Sequence, residues 1–175
     1  MADDRELWER ICLGDERAFD AFYRANGSKL VAFLRQILGS PQVAEDVMQE
    51  TFAKIWERPN GFNPERGTLR AYLFGAGRKR AAEWWRSQGH RDAPVLNEPA
   101  ESKTETISLV GDAFARLPEE RRTLIWLREV EGHSYAELAE ILEIPVGTVR
   151  SRLFAAREEL RKIWHEPPET MKEEV

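Results

Sequence analysis

Apolar residues recur along this chain at spacings of three and four, the period of helices that bury one face, and no stretch alternates as a strand would. The pattern predicts helices over residues 5–13, 16–38, 42–57 and 68–87, with Gly27 a point at which the second can break. Between the third and fourth, Asn60-Gly61-Phe62-Asn63-Pro64-Glu65-Arg66-Gly67 is dense in turn formers and predicts an ordered loop or a short turn-bearing insert. The period is lost over 88–102, where Gly89, Pro94, Asn97, Pro99 and scattered acids predict a linker. A second helical set follows over 106–116, 118–131, 135–143 and 146–164, and 165–175 reads as a frayed polar tail. The expected fold class is all-α. Two small helical domains, 1–87 and 106–165, are joined by a flexible linker at 88–105 and followed by a tail at 166–175. Each domain is near the lower limit for independent folding, which suits docking on a larger partner.

Charge sharpens this division. The net charge is −5, which excludes a simple cationic DNA coat, but the sign is segregated. Residues 66–91 hold seven basic side chains (Arg66, Arg70, Arg78, Lys79, Arg80, Arg86, Arg91) against the single acid Glu83. Residues 146–163 hold five (Arg150, Arg152, Arg157, Arg161, Lys162) against Glu158 and Glu159. Two basic islands in an acidic chain imply either two local polyanion contacts or two solvated helix faces. The start, Met1-Ala2-Asp3-Asp4, is acidic where a secretory signal is basic, and no run approaches the ~18–20 apolar residues of a membrane span. Cys12 is the single cysteine, so neither an intrachain disulfide nor a cysteine zinc site is available, and a cytoplasmic location is expected. No P-loop or HExxH motif and no nucleophile–base set is present, and His90, His133 and His165 are scattered; no catalytic residue, cofactor or metal is expected.

The sharpest local signal lies at 132–152. Ser134 followed by Glu137 is a capping box that opens a helix, Leu138, Ala139 and Leu142 give that helix an apolar stripe, and Ile144-Pro145 ends it. Pro145 suits the opening of the next helix, with Thr148 an alternative cap. A short helix, a tight turn and a second helix make a helix-turn-helix. In the second helix Val149, Leu153, Ala156 and Leu160 pack inward, leaving Arg150, Ser151 and Phe154 on the outer side and Arg152 and Arg157 on the flanks. Arg grips guanine bidentately and an aromatic ring meets a thymine methyl, so the outer face suits the major groove and the flanks suit phosphates.

In the N-terminal half, Ala44, Met48, Phe52 and Ile55 fall inward on a helical wheel, and Asp46, Gln49, Glu50 and Ala53 lie outward. That acidic-polar face suits a protein partner with basic residues; a metal site is disfavoured because no His or second carboxylate helix accompanies it. Over 68–87, Leu69, Leu73 and Ala76 are expected in the core, with Gly77 beside them. Lys79 and Arg86 point away, and the small residues Gly75 and Ala82 leave room for a phosphate chain. Trp84 is expected in the core and Trp85 at the rim, placed to stack on an unpaired base.

These residues carry a resemblance. Leu117-Pro118-Glu119, the run 127–132, Ser134-Tyr135-Ala136-Glu137-Leu138-Ala139 and Pro145-Val146-Gly147-Thr148-Val149-Arg150-Ser151-Arg152-Leu153 resemble region 4 of the extracytoplasmic-function RNA polymerase sigma factors, of the sigma-70 family. Gly14-Asp15-Glu16, Ala18-Phe19, the run 44–56 and the run 62–74 resemble region 2 of the same family. The resemblance implies that Thr148, Arg150, Ser151, Arg152, Phe154 and Arg157 read the −35 promoter element. It implies that Asn63, Arg66, Arg70, Lys79, Trp85 and Arg86 capture the melted −10 element. It also implies that Asp46, Gln49, Glu50 and Ala53 dock on the clamp helices of core RNA polymerase, with the acidic linker passing through the active-site channel. The chain departs from its relatives at Gly75, Gly77, Lys79, Glu83 and Ala155, so their promoter sequences do not transfer. Two small domains that expose such surfaces when free also imply an anti-sigma factor wedged between them. A stand-alone helix-turn-helix regulator is the rival reading, and the second, Trp-bearing basic island is what such a duplex binder does not need. A nucleic-acid enzyme is the third class.

Overall fold

The computed structural model describes residues 4–59, 61–88, 111 and 113–165. The linker beyond residue 88, most of the helix expected over 106–116 and the tail beyond 165 lie outside the described residues. The first half consists of α1 (Asp4–Cys12), α2 (Glu16–Leu38), α3 (Pro41–Glu57) and α4 (Leu69–Ser87). The starts of α2, α3 and α4 are chemically marked. The Asp15 carboxylate accepts the amides of Arg17 and Ala18, the Ser40 hydroxyl accepts that of Val43, and the Thr68 hydroxyl accepts that of Ala71. Gly39, at φ 71°, closes α2 in the left-handed conformation.

Helix α2 runs unbroken through Gly27, contrary to the expected weak point. A glycine costs about 1 kcal/mol in a helix interior, and burial of Phe22, Leu30, Phe33 and Leu34 on the same helix outweighs it. Gly77 on α4 has a packing reason: a methyl there would lie 2.8 Å from Leu30 Cδ1, so the glycine lets α4 and α2 approach closely. The insert between α3 and α4 is ordered as expected. Phe62 is buried against Trp8 and Tyr72, with ring centroids 5.5 and 5.9 Å away. The Asn63 side chain accepts the Glu65 amide at 2.9 Å, forming a local turn.

The second half contains α5 (Glu119–Ile125), α6 (Tyr135–Leu142) and α7 (Val146–His165). The helix expected over 118–131 is split: after Ile125 the chain widens into a π turn over Trp126–Val130. The Glu131 amide donates five residues back, to the Trp126 carbonyl, at 3.1 Å, and the His133 amide donates to the Leu127 carbonyl at 3.0 Å. Such turns commonly mark functional positions, and this one delivers Glu131 and His133 to the other half of the molecule. The capping box at Ser134 and Glu137 is present. Between α6 and α7, Glu143 takes the left-handed conformation at φ 56°. The amides of Thr148 and Val149 both donate to the Pro145 carbonyl, so α7 starts at Val146 and Thr148 is not its cap.

The two halves are not separate bodies. Helix α6 packs along α4, α5 touches α2, and the buried apolar residues of both halves form one contiguous cluster. The described residues contain no strand, and no helix among them is long and apolar enough to cross a membrane.

Candidate nucleic-acid interface

Helix α7 presents the expected outer face. Val149, Leu153 and Ala156 are buried and Leu160 half-buried; Arg150, Ser151, Arg152, Phe154, Ala155 and Arg157 are exposed, and Thr148 is half-buried. Phe154 is 69% exposed, which is unusual for an aromatic ring and leaves it open to a partner. Arg150 stacks over Tyr135 at 5.9 Å and has no carboxylate partner among the described residues. The flank arginines are paired with acids instead. Arg157 Nε donates to Glu129 at 3.1 Å, and Arg152 lies 3.9 Å from Glu120. A group that already holds a carboxylate in water exchanges it readily for a phosphate, because both contacts are charge-assisted hydrogen bonds.

On α3, Asp46, Gln49, Glu50 and Ala53 are all exposed, and Ala44, Met48, Phe52 and Ile55 are all buried beneath them. The acidic face is therefore available to a basic partner surface.

Part of the third group meets at a cleft of about 330 Å³ lined by the 61–68 loop, α4, Glu140 and Glu143. Asn63, Arg66 and Lys79 lie on its wall; Arg70 and Arg86, also on α4, do not line it and are half-buried and exposed respectively. Trp85 requires a correction. It is 8% exposed and belongs to the core, and Trp84 is the half-exposed one. Gly77, Ala81 and Trp85 continue the row of Leu69 and Leu73 at intervals of four and are buried with them, so Ala76 is the one member of the expected stripe that lies off the core face. Ala76 is half-buried and lines the cleft. The rim aromatic is Trp84, its ring edge-on to Trp85 at 4.7 Å.

Sequence reasoning also missed what faces the cleft. Arg66 lies 3.0 Å from Glu140, and Lys79 donates to Glu143 at 2.6 Å. Arg70 donates to the Glu131 carbonyl at 2.8 Å and grips its carboxylate; Arg78 donates to the Ile141 carbonyl at 3.1 Å. Thr68 donates to Glu137 Oε1 at 2.5 Å, joining the cap of α4 to the capping box of α6. Burial would raise the Glu137 carboxyl, but hydrogen bonds from Thr68 and Ser134 hold it below the usual carboxylate range. Lys79 does the same for Glu143 by hydrogen bond and charge. The space expected at Gly75 for a phosphate chain is taken by α6: a methyl at Gly75 would meet the Ile141 Cα at 3.6 Å. The signal lay in Glu137, Glu140 and Glu143, three residues apart, two on α6 and the third just past its end, a row that reads as solvated until its partner helix is known.

Comparison with known proteins identifies the same two parts. Residues 22–91 match the family model "Sigma-70 region 2", and 107–160 match "Sigma-70, region 4". The RNA polymerase sigma-H factor of Pseudomonas aeruginosa is 32% identical over 179 positions, covering 91% of this chain and 92% of that one. The ECF RNA polymerase sigma-E factor of Haemophilus influenzae is 33% identical over 175 positions, covering 89% and 92%. Among solved structures, CnrH in complex with the cytosolic domain of CnrY superposes with TM-score 0.72 at 26% identity, covering 91% of this chain and 96% of that one. The sigma factor RpoE of Bartonella quintana, in complex with the anti-sigma factor NepR, gives 0.61 at 27% identity, covering 83% and 95%. With both regions matched in order and relatives aligned over nearly their whole length, this chain belongs to the extracytoplasmic-function sigma factors of the sigma-70 family.

Proposed function

We propose that this chain is an alternative sigma factor that binds core RNA polymerase and directs it to promoters bearing its own −10 and −35 elements. The observation that carries the reading is the pair of nucleic-acid faces of different character. One is an exposed Arg150/Ser151/Phe154 face on a helix-turn-helix, suited to duplex DNA. The other is a cleft beside a turn-bearing loop, with Arg66 and Lys79 on one wall and Glu140 and Glu143 opposite, whose cations suit the phosphates of an unpaired strand. Residues 1–87 act as the polymerase- and −10-binding unit and 106–165 as the −35 unit, with 88–105 bridging them and 166–175 a tail. The Asp46/Gln49/Glu50/Ala53 face of α3 supplies the polymerase contact. In the −10 unit Trp84 takes the stacking place first assigned to Trp85. The chain works in the cytoplasm and catalyses nothing itself; the chemistry belongs to the polymerase.

An anti-sigma factor completes the reading, supported by the two solved relatives whose partners are CnrY and NepR. Because α4 and α6 already touch, such a partner grips the outside of the closed pair or prises it open; it has no gap to fill. The deciding experiment is transcription in vitro by core polymerase on a pool of genomic promoters, with and without the chain. New start sites sharing −10 and −35 sequences are expected only with the chain present. Tight, specific duplex binding by the isolated chain, with no effect on polymerase, would favour a stand-alone regulator instead.

A further inference from the structure

Arg150 lies on the outer face of α7 and is held differently from the arginines beside it. Arg152 and Arg157 on the same helix face Glu120 and Glu129. Arg150 has no carboxylate partner among the described residues, and its guanidinium carbon lies over the Tyr135 ring instead, 5.9 Å from the centroid. Tyr135 is not part of the recognition helix. It is the first residue of α6, next to the Ser134 cap, half-buried and packed against the core. A second guanidinium, that of Arg128, lies over the same ring at 5.0 Å. Arg128 is itself tied down, since it donates to the His133 carbonyl at 2.7 Å. The helix start, the core and Arg128 thus fix the ring independently of Arg150.

We propose that Tyr135 is a positioning residue for −35 recognition: its ring presets Arg150 for the base edges, so that the specificity of α7 depends on a residue of α6. The proposal rests on the −35 reading of Arg150 and names what makes that reading selective. An unrestrained arginine samples many rotamers, and the freedom it loses on binding weakens the contact. An acid would also hold Arg150 still, but it would occupy the N–H edge and have to leave before a base could bind. An aromatic face attracts the cation through its quadrupole and leaves the N–H edge free to donate. The contrast with Arg152 and Arg157 follows. They suit phosphates, for which one anion simply replaces another. Arg150 must meet a neutral base edge in one geometry, and a carboxylate partner would oppose that.

The test is transcription from a −35 randomised promoter library by core polymerase with the full chain. Tyr135→Phe keeps the ring and should keep the wild-type base preferences. Pentafluorophenylalanine, placed at position 135 by amber suppression, has nearly the same shape but reverses the polarity of the ring face. It should relax discrimination roughly two- to five-fold at the positions that Arg150→Ala relaxes, and leave the salt dependence of binding unchanged. Tyr135→Leu, which removes the ring, should relax the same positions. A ring that only filled the core would give the phenylalanine and pentafluorophenylalanine chains equal preferences, and that result overturns the proposal. Relaxation confined to positions that Arg150→Ala leaves alone overturns it too. The two readings are scored apart. If Arg150→Ala leaves every preference unchanged, the −35 reading of Arg150 fails and the proposal falls with it. If Arg150→Ala relaxes them and the fluorinated ring does not, the proposal alone fails.

Discussion

Arg150 and Arg157 lie on one helix in different surroundings. Arg150 stacks on Tyr135 on the outer face, and Arg157 holds Glu129 on the flank. Arg150→Ala should cost about 1–3 kcal/mol of promoter binding and relax preference at one or two −35 positions. Arg157→Ala should weaken all sequences alike and flatten the salt dependence by about one unit of slope. A −35 randomised-library transcription assay separates them; base preferences altered by Arg157→Ala and untouched by Arg150→Ala would reverse the assignment. Gly75 and Gly77 differ in the same residue-level way. Each gains about 1 kcal/mol of helix propensity on replacement by Ala. At Gly75 the added methyl makes an ordinary 3.6 Å contact, whereas at Gly77 it meets the fully buried Leu30 at 2.8 Å. Overpacking costs typically 1–3 kcal/mol, so Gly75→Ala should raise the melting temperature and Gly77→Ala should not.

At the scale of the element, α3 divides its duties by face. Ala44, Val47, Met48, Thr51, Phe52 and Ile55 hold it in the core, and Thr51 satisfies its hydroxyl on the Val47 carbonyl at 2.7 Å. The opposite side contributes little to folding, since Asp46, Gln49 and Glu50 are exposed. Glu50→Lys should therefore leave the melting temperature within about 2 °C, surface changes being within about 0.5 kcal/mol, and weaken co-purification with core polymerase. Equal recovery of polymerase by the variant would remove this face from the reading. Helix α6 uses more of its circumference. Leu138 and Ile141 are buried, Glu137 reaches the Thr68 cap, Glu140 reaches Arg66 in the loop before it, and Glu143, just past the helix, reaches Lys79 on α4.

For the whole molecule, closure of the two halves is linked to pH through His133. The ring is 1% exposed, packed on Phe74, and its Nδ1 is 3.7 Å from Glu137 Oε1. Burial, and then the charge of Arg70, lower its pKa from 6.5 to about 4, Glu137 opposing them. An opened or unfolded chain therefore binds the proton more tightly than the closed one. The closed form should lose stability as pH falls from about 6.5 to about 4, by at most roughly 3 kcal/mol. Glu137 and Glu143, both held low, add a second loss on further acidification, where they must be protonated. Melting temperatures between pH 7.5 and 5 should fall for the wild type and stay nearly level for His133→Phe. A parallel fall in the variant would assign the effect elsewhere.

Most of the helices, the capping box of α6, the helix-turn-helix and the outward faces of α3 and α7 were legible in the sequence, because each depends on neighbours within a turn or two. The capping box at Ser134 and the stripe of Val149, Leu153 and Ala156 are local periodic signals of this kind. What the sequence left open depends on partners distant along the chain. Trp84 and Trp85 are adjacent, and only the packing of α4 against the rest of the core decides which is buried. The unbroken course of α2 through Gly27 follows from burial along its length, and the π turn at Trp126–Val130 falls where Glu131 and His133 must reach α4. The acid row of α6 and the basic face of α4 could each be read alone as solvated. That Arg66, Arg70 and Lys79 meet Glu140, Glu131 and Glu143 across 61 to 74 residues of sequence was decided by the tertiary structure, since charge pairing depends on proximity in space and leaves no periodic trace along the chain.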